Sequence, residues 1–364
     1  MLFLNNQDVH ELLDMKTCLE ALEVGYQDLA AGNAVHRPRL DVWAPSDEQD
    51  AFFRWGSMEG VCRTYGTFAI RMKSDMVRWP EGANEEKYCI EPGTFCGLVM
   101  LFSTNNGEPL AIINDGIIQH MRVGAGAGLG VKYLAREDAE VVGIIGSGGM
   151  ARTYLQAFAE VRKLKRVKVY SRSRENREAY AAEMRDVLGG LRIDVLDNPE
   201  DVVRGSDIVS TCTDSIVPVL TDKDWLEPGM HVTNLDLREF AAADVWDRFD
   251  ITVRLGDQTM SRKQAETDFR PFHFAGYTAG QPEELARIPK SRVHIDEEQY
   301  PRLVEVVKGD APGRSSREQI TCFINIGTQG LQFASVGGRL YQLAKERGVG
   351  RELPTEWFVQ DVRD

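Results

Sequence analysis

The chain has 364 residues, of which 43% are hydrophobic and 27% charged, so we expect a soluble globular protein of about two domains. Its formal net charge of −13 disfavours sequence-independent binding to nucleic acid, and the lack of an apolar run of about eighteen residues disfavours a membrane span. The six scattered cysteines, with no C-x-x-C pair, argue against a disulfide framework and against a metal site.

The first third of the chain predicts helices followed by a mostly antiparallel sheet. The N-terminal segment turns polar after MLFL and lacks the features of a secretory signal, so we expect a cytoplasmic protein. Residues 8–31 carry apolar residues at helical spacing, with Gly32 beyond the end. Short aromatic-rich segments between residues 35 and 79 predict strands, and CGLVMLFSTNNGEPLAIIND predicts a hairpin around an Asn-Gly turn.

The pattern changes after Asp115. GIIQHMRVGAGAGLGVKYLA predicts a helix, and the following segments alternate between short β-branched runs and amphipathic helices. Such alternation is typical of a parallel sheet with helices on both faces. The late segment that begins with GRSSREQITCF predicts a long helix ending near Gly348, which we expect to pack back on the first domain. The predicted fold class is therefore α/β: a Rossmann-type doubly wound sheet (119–317) inserted into a discontinuous α+β domain (1–118 and 318–364).

The stretch VVGIIGSGGMA carries the strongest local signal, because its glycines follow a buried strand and open a helix. In the pattern Gly146-x-Gly148-x-x-Ala151 the first glycine permits a tight turn, and the second lets the backbone approach a pyrophosphate. A second strand, RVKVYSR, follows about twenty-five residues later and favours a dinucleotide site over an ordinary turn. The residues that we assign to the phosphate loop are Gly146, Ser147, Gly148, Gly149, Met150 and Ala151.

The end of that second strand indicates which nucleotide is bound. Enzymes that choose NAD usually carry an acidic residue there, whereas this chain has none before Glu175. Hydroxyl and guanidinium groups suit a 2′-phosphate, so we predict NADP(H), with NAD(H) and a merely solvated basic loop as the alternatives. The residues assigned to this part of the cofactor site are Ser171, Arg172 and Arg174, with Thr213 after the later strand DIVSTC.

Three segments, taken in their order along the chain, carry a resemblance to a known family: INDGIIQHMRVGAGAG, VVGIIGSGGMARTYLQAF and GRSSREQITCFINIG. Over nearly its whole length the chain resembles the ornithine cyclodeaminase/μ-crystallin family. The resemblance implies that the first domain binds the substrate and mediates homodimerisation. It also implies a small amino, imino or keto acid as the substrate and a nicotinamide cofactor.

The resemblance also suggests which first-domain residues act on the substrate: Arg39 in RPRLDV (or Arg37 if the register slips), Lys73 in IRMKSD and Arg122 in QHMRVG. Their chemistry is suitable, because two arginines can hold a carboxylate while a lysine polarises an imine or exchanges protons. The alternatives are that Arg39 and Lys73 are strand residues that extend to solvent, and that Arg122 pairs with an acidic neighbour such as Asp115.

The chain departs from the family's cyclodeaminases at one informative place. Their aspartate for the distal amine falls, in the simplest register, on Arg238, while Asp236 lies two residues earlier and is kept as a catalytic candidate. A cation at this point would repel the distal ammonium of ornithine or lysine, which argues against cyclodeamination.

The leading functional hypothesis is an NADP-dependent oxidoreductase of C–N bonds. It would interconvert a 2-imino (ketimine) or 2-keto acid and the corresponding amino acid. Two alternatives stay open: a cyclodeaminase that recycles its cofactor and releases ammonia, and a non-catalytic NADPH- and ligand-binding protein.

Overall fold

The computed structural model describes residues 1–48, 50–80, 86–215, 217–240, 243–257, 275–288 and 295–362. Its strands are β1 (Leu2–Leu4), β2 (Ala34–His36), β3 (Leu40–Pro45), β4 (Ala51–Cys62), β5 (Thr67–Arg78), β6 (Glu86–Tyr88), β7 (Cys96–Ser103), β8 (Pro109–Asn114), β9 (Val141–Ile145), β10 (Arg166–Tyr170), β11 (Arg192–Val195), β12 (Ile208–Thr211), β13 (His231–Asn234), β14 (Ile251–Arg254), β15 (Ala275–Thr278), β16 (Thr321–Ile324) and β17 (Arg351–Glu352). Its α-helices are α1 (Asn6–Leu12), α2 (Met15–Ala30), α3 (Gly116–Leu134), α4 (Gly149–Val161), α5 (Arg174–Val187), α6 (Pro199–Val203), α7 (Ala243–Trp246), α8 (Pro282–Leu285), α9 (Leu303–Lys308) and α10 (Gln329–Arg347).

The chain divides into two compact units. The unit that we call the mixed-sheet unit consists of Met1–Arg122, Asp257–Ser291 and Gly327–Asp364. The unit that we call the parallel-sheet unit consists of Val123–Gly256 and Arg292–Ile326. The predicted fold class is confirmed, since a Rossmann-type parallel sheet is inserted into a discontinuous α+β unit.

The domain boundaries predicted after residues 118 and 317 differ from the boundaries of the two units. The first limit falls inside α3, after Arg122. The second follows β16, because this segment pairs in parallel with β13 and β14. The residues TCFI, which we expected to belong to a late helix, thus form a fully buried strand. A third piece was missed: β15 returns to the mixed-sheet unit and pairs with β3.

The mixed-sheet unit is built on one sheet whose main path has the order β15-β3-β4-β5-β7-β8-β1-β17, with β2 paired to β4 and β6 paired to β5. The predicted hairpin is the antiparallel pair of β7 and β8 within it. The strands from β3 to β8 pair antiparallel. Residues of β5 alternate between buried and half-buried, which places Arg71, Lys73 and Asp75 on one face. The predicted helical segment 8–31 forms α1 and α2, which begin at the caps Asn5 and Asp14.

Helix α10 packs on this sheet through a close contact between two backbones. A Cβ atom on Gly330 would lie 1.9 Å from the carbonyl oxygen of Glu59 on β4. A Cβ atom on Gly60 would lie 2.4 Å from the carbonyl carbon of Gly330. Only glycine permits this approach. The helix ends at Gly348 in the left-handed conformation, as predicted.

The parallel-sheet unit has the strand order β11-β10-β9-β12-β13-β16-β14, with every neighbouring pair parallel. Its apolar side chains form two cores: Ile144 packs in one with α4 and α5, whereas Ile145 packs in the other with α6 and α7. Consecutive residues of β9 thus face opposite cores, so helices cover both faces of the sheet. Among the described helices, none has the length and apolar character needed to cross a membrane.

Candidate functional site

The glycine loop lies where the strand order reverses. The chain proceeds from β9 to β10 and β11 on one side, and then to β12 on the other, so β9 and β12 flank the switch point. Gly146 follows β9 with a φ of +124°, and a Cβ atom there would lie 2.2 Å from the carbonyl oxygen of Cys212. Its N–H donates to the carbonyl of Tyr170 at 2.7 Å. The backbone at Gly146 therefore demands glycine for the turn, as predicted.

The beginning of α4 has the features of an anion site. Gly148 is the N-cap, and among the described residues no side chain caps the helix. A Cβ atom on Gly148 would meet nothing within 4 Å, so the backbone faces open space. The first-turn N–H groups, which lack intrahelical acceptors, and the helix dipole both favour an anion there. The loop thus fits a dinucleotide pyrophosphate, while Ala151 is fully buried against the core.

The predicted 2′-phosphate residues adjoin this loop. The Ser171 hydroxyl lies 2.9 Å from the Ser147 hydroxyl, so the end of β10 and the glycine loop meet. Arg172 is exposed, and within the described part of the chain it has no ion-pair partner. Arg174 instead pairs with Glu178 at 2.8 Å. Arg172 is therefore the more available of the two guanidinium groups.

A third arginine, which the sequence argument missed, shapes the same segment. The guanidinium of Arg177 donates to the Ser171 carbonyl at 2.7 Å and to Asp197 at 2.6 Å. It also lies 5.3 Å from the centre of the Tyr170 ring. Because Arg177 is buried and paired, we infer a structural role in holding the segment after β10.

The buried carboxylate of Glu239 joins the ends of β12 and β13. It accepts hydrogen bonds from the Thr213 N–H and hydroxyl at 2.6 and 2.8 Å, and from the Thr211 hydroxyl at 2.9 Å. The N–H groups of Leu235 and Asp236 complete the set at 2.8 and 2.9 Å. Burial raises the pKa of this carboxyl, although the hydrogen bonds oppose the shift. The Thr213 hydroxyl is thus engaged by Glu239, and its part in cofactor binding stays a prediction.

Asp236 and Arg238 bind one another. Two hydrogen bonds, of 2.9 and 2.7 Å, join the guanidinium of Arg238 to the carboxylate of Asp236. Asp236 also caps the short 3₁₀ helix Leu237–Glu239 by accepting from the Arg238 N–H. Arg238 is therefore part of an ion pair, which weakens the expected repulsion of a distal ammonium. A catalytic role of Asp236 stays untested, and its carboxylate is already engaged.

In the mixed-sheet unit, Lys73 lies between two glycines. On β5 it is directly opposite Gly56 of β4 and Gly97 of β7. A Cβ atom on Gly56 would lie 2.9 Å from Asp41, and one on Gly97 would lie 2.1 Å from Asp115. The missing side chains leave space that carboxylates occupy on both sides of Lys73. Neither glycine was singled out by the sequence argument, because the strand register decides their position.

Ion pairs surround the same lysine. Lys73 and Arg54 both bind Asp75, at 2.7 and 2.8 Å, while Arg39 binds Asp41 at 2.7 and 3.1 Å. Burial lowers the pKa of Lys73 to about 8, helped by repulsion from Arg54 and opposed by Asp75. Arg39 and Lys73 are therefore brought into one charged cluster rather than extending into solvent. Arg54 and Asp75 were missed by the sequence argument.

Arg37, the alternative to Arg39, lies elsewhere. Its guanidinium donates to Glu59 at 2.6 Å and to Ser57 at 3.1 Å. Ser57 and Glu59 alternate along β4 with Gly56, so they belong to the opposite face of the strand. The structure therefore places Arg39, and not Arg37, beside Lys73.

Arg122 is buried at the end of the mixed-sheet unit. It donates to the amide oxygens of Gln119 and Gln332 at 2.8 and 2.9 Å, and its guanidinium lies 5.1 Å from the centre of the Phe333 ring. Arg71 lies 5.5 Å from the same ring, so Phe333 connects Arg122 to the face that carries Lys73.

Asp115 is the partner of Arg71. The two side chains form hydrogen-bonded contacts of 2.7 and 2.5 Å, and both are buried. We had considered Asp115 as the partner of Arg122, but its carboxylate is held by Arg71 instead. The period-two alternation of β5 could have indicated Arg71, because it places residues 71 and 73 on the same face.

Comparison with known proteins supports the family resemblance. The model of the ornithine cyclodeaminase/mu-crystallin family matches residues 1–333. The chain belongs to this family. It is 25% identical to a Bacillus cereus Delta(1)-pyrroline-2-carboxylate reductase over 97% of this chain and 99% of that one. It is 26% identical to the ketimine reductase mu-crystallin of Macropus fuliginosus over 89% of this chain and 92% of that one.

A solved structure extends the likeness to three dimensions. Thermococcus litoralis Delta(1)-pyrroline-2-carboxylate reductase, in complex with NADH and L-proline, has a TM-score of 0.74 and 25% identity, covering 97% of this chain and 100% of that one. The predicted family is thereby confirmed. Among the residues that the structure describes, no group of three or more His, Cys, Asp and Glu side chains could hold a metal ion.

Proposed function

We propose that this protein is an NADP-dependent oxidoreductase that reduces a 2-imino acid to the corresponding amino acid, or runs the reverse reaction. The observation that carries the proposal is the Lys73 ammonium, which lies in a buried charged cluster beside Arg39 and has a pKa near 8. A proton donor whose pKa lies close to the working pH suits reduction of an imine, because a proton must be added at nitrogen.

The side chains divide the work by their chemistry. Arg39 and Arg122 attract the substrate carboxylate through their positive charge and N–H donors. Because Asp41 binds the Nε and Nη2 donors of Arg39, the substrate would be bound by other N–H groups of that guanidinium. Lys73 donates a proton to the imine nitrogen and so makes the adjacent carbon more electrophilic. When bound, the reduced nicotinamide supplies the hydride. Holding the carboxylate at a fixed place limits the substrate to orientations that can react.

The preference for NADP(H) is supported by the segment after β10. No carboxylate occurs between Tyr170 and Glu175, and the exposed Arg172 follows the Ser171 hydroxyl. A 2′-phosphate binds to such groups, whereas a ribose 2′-hydroxyl is usually held by an acidic residue. The Thermococcus litoralis relative was solved with NADH, so NAD(H) is the alternative that the assay must include.

A cyclic ketimine acid is the first substrate to test. Two of the relatives named above are Delta(1)-pyrroline-2-carboxylate reductases, and another is a ketimine reductase. Cyclodeamination of a diamino acid is less well supported, because Arg238 offsets the charge of Asp236 and so weakens its attraction for a distal ammonium.

We further propose a cytoplasmic homodimer. The six cysteines are free, as is usual in a reducing compartment. The mixed-sheet unit exposes large apolar side chains at Ile90 and Phe95, which are 92% and 68% exposed, and such residues favour association. Light scattering coupled to size-exclusion chromatography measures the mass directly, and a monomer at micromolar concentration would contradict the dimer.

The test of the function is NADPH oxidation at 340 nm with Δ1-pyrroline-2-carboxylate, followed by chiral analysis of the product. A second panel contains keto acids with ammonia or amines. Lys73→Ala should lower turnover by at least about a hundredfold while NADPH binding, read by fluorescence, is retained. Lys16→Ala, an exposed lysine of the same unit, is the matched control and should leave turnover unchanged.

Two outcomes would contradict the proposal. Saturable NADPH binding without turnover on any substrate would indicate a non-catalytic binding protein. Ammonia release from ornithine without an absorbance change at 340 nm would indicate a cyclodeaminase.

A further inference from the structure

One carboxylate beneath Lys73 is shared by two cations. The Oδ2 atom of Asp75 lies 2.7 Å from the Lys73 Nζ atom and 2.8 Å from an Arg54 nitrogen. Asp75 is two residues beyond Lys73 on β5, so both side chains stand on the same face of the sheet. Asp75 is 2% exposed, so these two cations bind a carboxylate that solvent scarcely reaches. Lys87 on β6 also interacts electrostatically with this carboxylate.

Arg54 is itself buried against an aromatic ring. It is 3% exposed, and its guanidinium lies 5.3 Å from the centre of the buried Trp43 ring. Trp43, Arg54 and Asp75 are directly opposite one another on β3, β4 and β5. The pair formed by Arg54 and Asp75 is therefore fixed by strand register and lies below a lysine that keeps partial access to solvent.

We propose that Asp75 and Arg54 are positioning residues that direct the Lys73 side chain and set its charge for proton transfer. The inference rests on the proposed function, because proton donation by Lys73 to an imine is what gives its orientation and charge a purpose. Asp75 attracts the ammonium, whereas Arg54 competes for the same carboxylate and repels the ammonium. The two residues thus act on the pKa of Lys73 in opposite directions.

The direction of each effect follows from the surroundings of Lys73. The titratable groups that face it are Arg39 and Asp41 at β3, Arg54 on β4, Arg71 and Asp75 on β5, Lys87 on β6 and Asp115 after β8. Burial lowers the pKa of Lys73 first, the repulsion from Arg54 lowers it further, and Asp75 raises it. Removing the charge of Asp75 should therefore lower this pKa, and removing the charge of Arg54 should raise it.

The experiment is the pH profile of kcat/KM for imine reduction. A lysine that donates a proton works below its pKa, so the wild type should lose activity as the pH rises through about 8. Asp75→Asn should move this alkaline loss of activity to lower pH by roughly one to three units, and Arg54→Gln should move it to higher pH. Arg54→Lys keeps the charge and should stay close to the wild type.

The matched control is Asp28→Asn. Asp28 is also a buried aspartate of the mixed-sheet unit, but it binds the N–H and hydroxyl of Thr64 instead of a catalytic lysine. This variant tests whether loss of any buried carboxylate shifts the profile, and we expect no shift. Shifts of the same sign in Asp75→Asn and Arg54→Gln, or no shift in either, would overturn the inference.

A second readout does not depend on activity. Reductive ¹³C-methylation of the lysines allows each to be titrated by NMR, and Lys73→Arg identifies the resonance of Lys73. The resonance should titrate at lower pH in Asp75→Asn and at higher pH in Arg54→Gln. If no substrate is turned over but these shifts occur, the proposed function fails and the electrostatic inference stands.

The NMR measurement can still test the inference if one variant fails to fold. If Asp75→Asn does not fold, the comparison of Arg54→Gln with Arg54→Lys decides the matter. An unchanged Lys73 titration in Arg54→Gln would then refute the inference.

Discussion

Replacing Arg172 by alanine tests the cofactor preference at its best-placed residue. Arg172 is exposed at the end of β10, with no ion-pair partner in the described ranges, and its neighbour Ser171 contacts the glycine loop. Losing this guanidinium should weaken NADPH binding selectively, because only NADPH carries the 2′-phosphate.

The size of the effect follows from the exposure of the residue. A hydrogen bond to a charged group contributes about 1.5–3 kcal/mol, and solvent and salt place an exposed arginine at the lower end of this range. We therefore expect a loss of about 1.5 kcal/mol, which is roughly tenfold in the Kd for NADPH. Arg174→Ala should have a smaller effect, because Glu178 already binds that guanidinium at 2.8 Å.

The assay is fluorescence titration of NADPH and NADH at two salt concentrations, for the wild type and each variant. Arg192→Ala is the control, since Arg192 is an exposed arginine at the start of the neighbouring strand β11. The Kd for NADH should change less than about twofold in Arg172→Ala. An equal loss for both cofactors, or no loss for either, would refute the assignment of Arg172 to the 2′-phosphate.

Two further predictions concern glycines. Gly148→Ala should lower the melting temperature only slightly, because alanine is a poorer N-cap than glycine but its Cβ atom meets no described atom within 4 Å. It should weaken NADPH and NADH binding alike by filling the space beside the pyrophosphate, and unchanged affinities would show that the pyrophosphate lies elsewhere. Gly330→Ala should lower the free energy of unfolding by about 3 kcal/mol or more, because its Cβ atom would overlap the β4 backbone. In Gly337→Ala, on the same helix, the nearest atom to the Cβ is in the flexible Leu101 side chain at 3.1 Å, so the free energy of unfolding should differ from the wild type by less than about 1 kcal/mol in denaturant titration.

The sequence was sufficient wherever the signal was local. The glycine loop, the strand before it and the helix after it were predicted correctly, because each depends on a short pattern and on a φ that only glycine adopts easily. The long helix ending at Gly348 was predicted for the same reason. Arg39 and Lys73 were proposed through family resemblance, since no local pattern distinguishes Arg39, just before β3, or Lys73, within β5, from other charged residues.

Local pattern could not decide elements that depend on distant partners. TCFI is a short apolar run, which suits a buried strand and a buried helix equally well, and it becomes β16 because β13 and β14 pair with it. The charge of Arg238 was read correctly from the sequence, but its neutralisation by Asp236 depends on a local turn whose geometry the pattern did not reveal.

The sequence by itself thus determined the glycine loop between β9 and α4 and the strand that carries Lys73. Only the tertiary structure decided what surrounds Lys73. Gly56 and Gly97 become its neighbours through strand register, and Lys73 comes to share the carboxylate of Asp75 with Arg54. The pKa of a lysine depends on burial and on charges brought close by folding, so its value near 8 is a property of the packed sheet rather than of the segment IRMKSD.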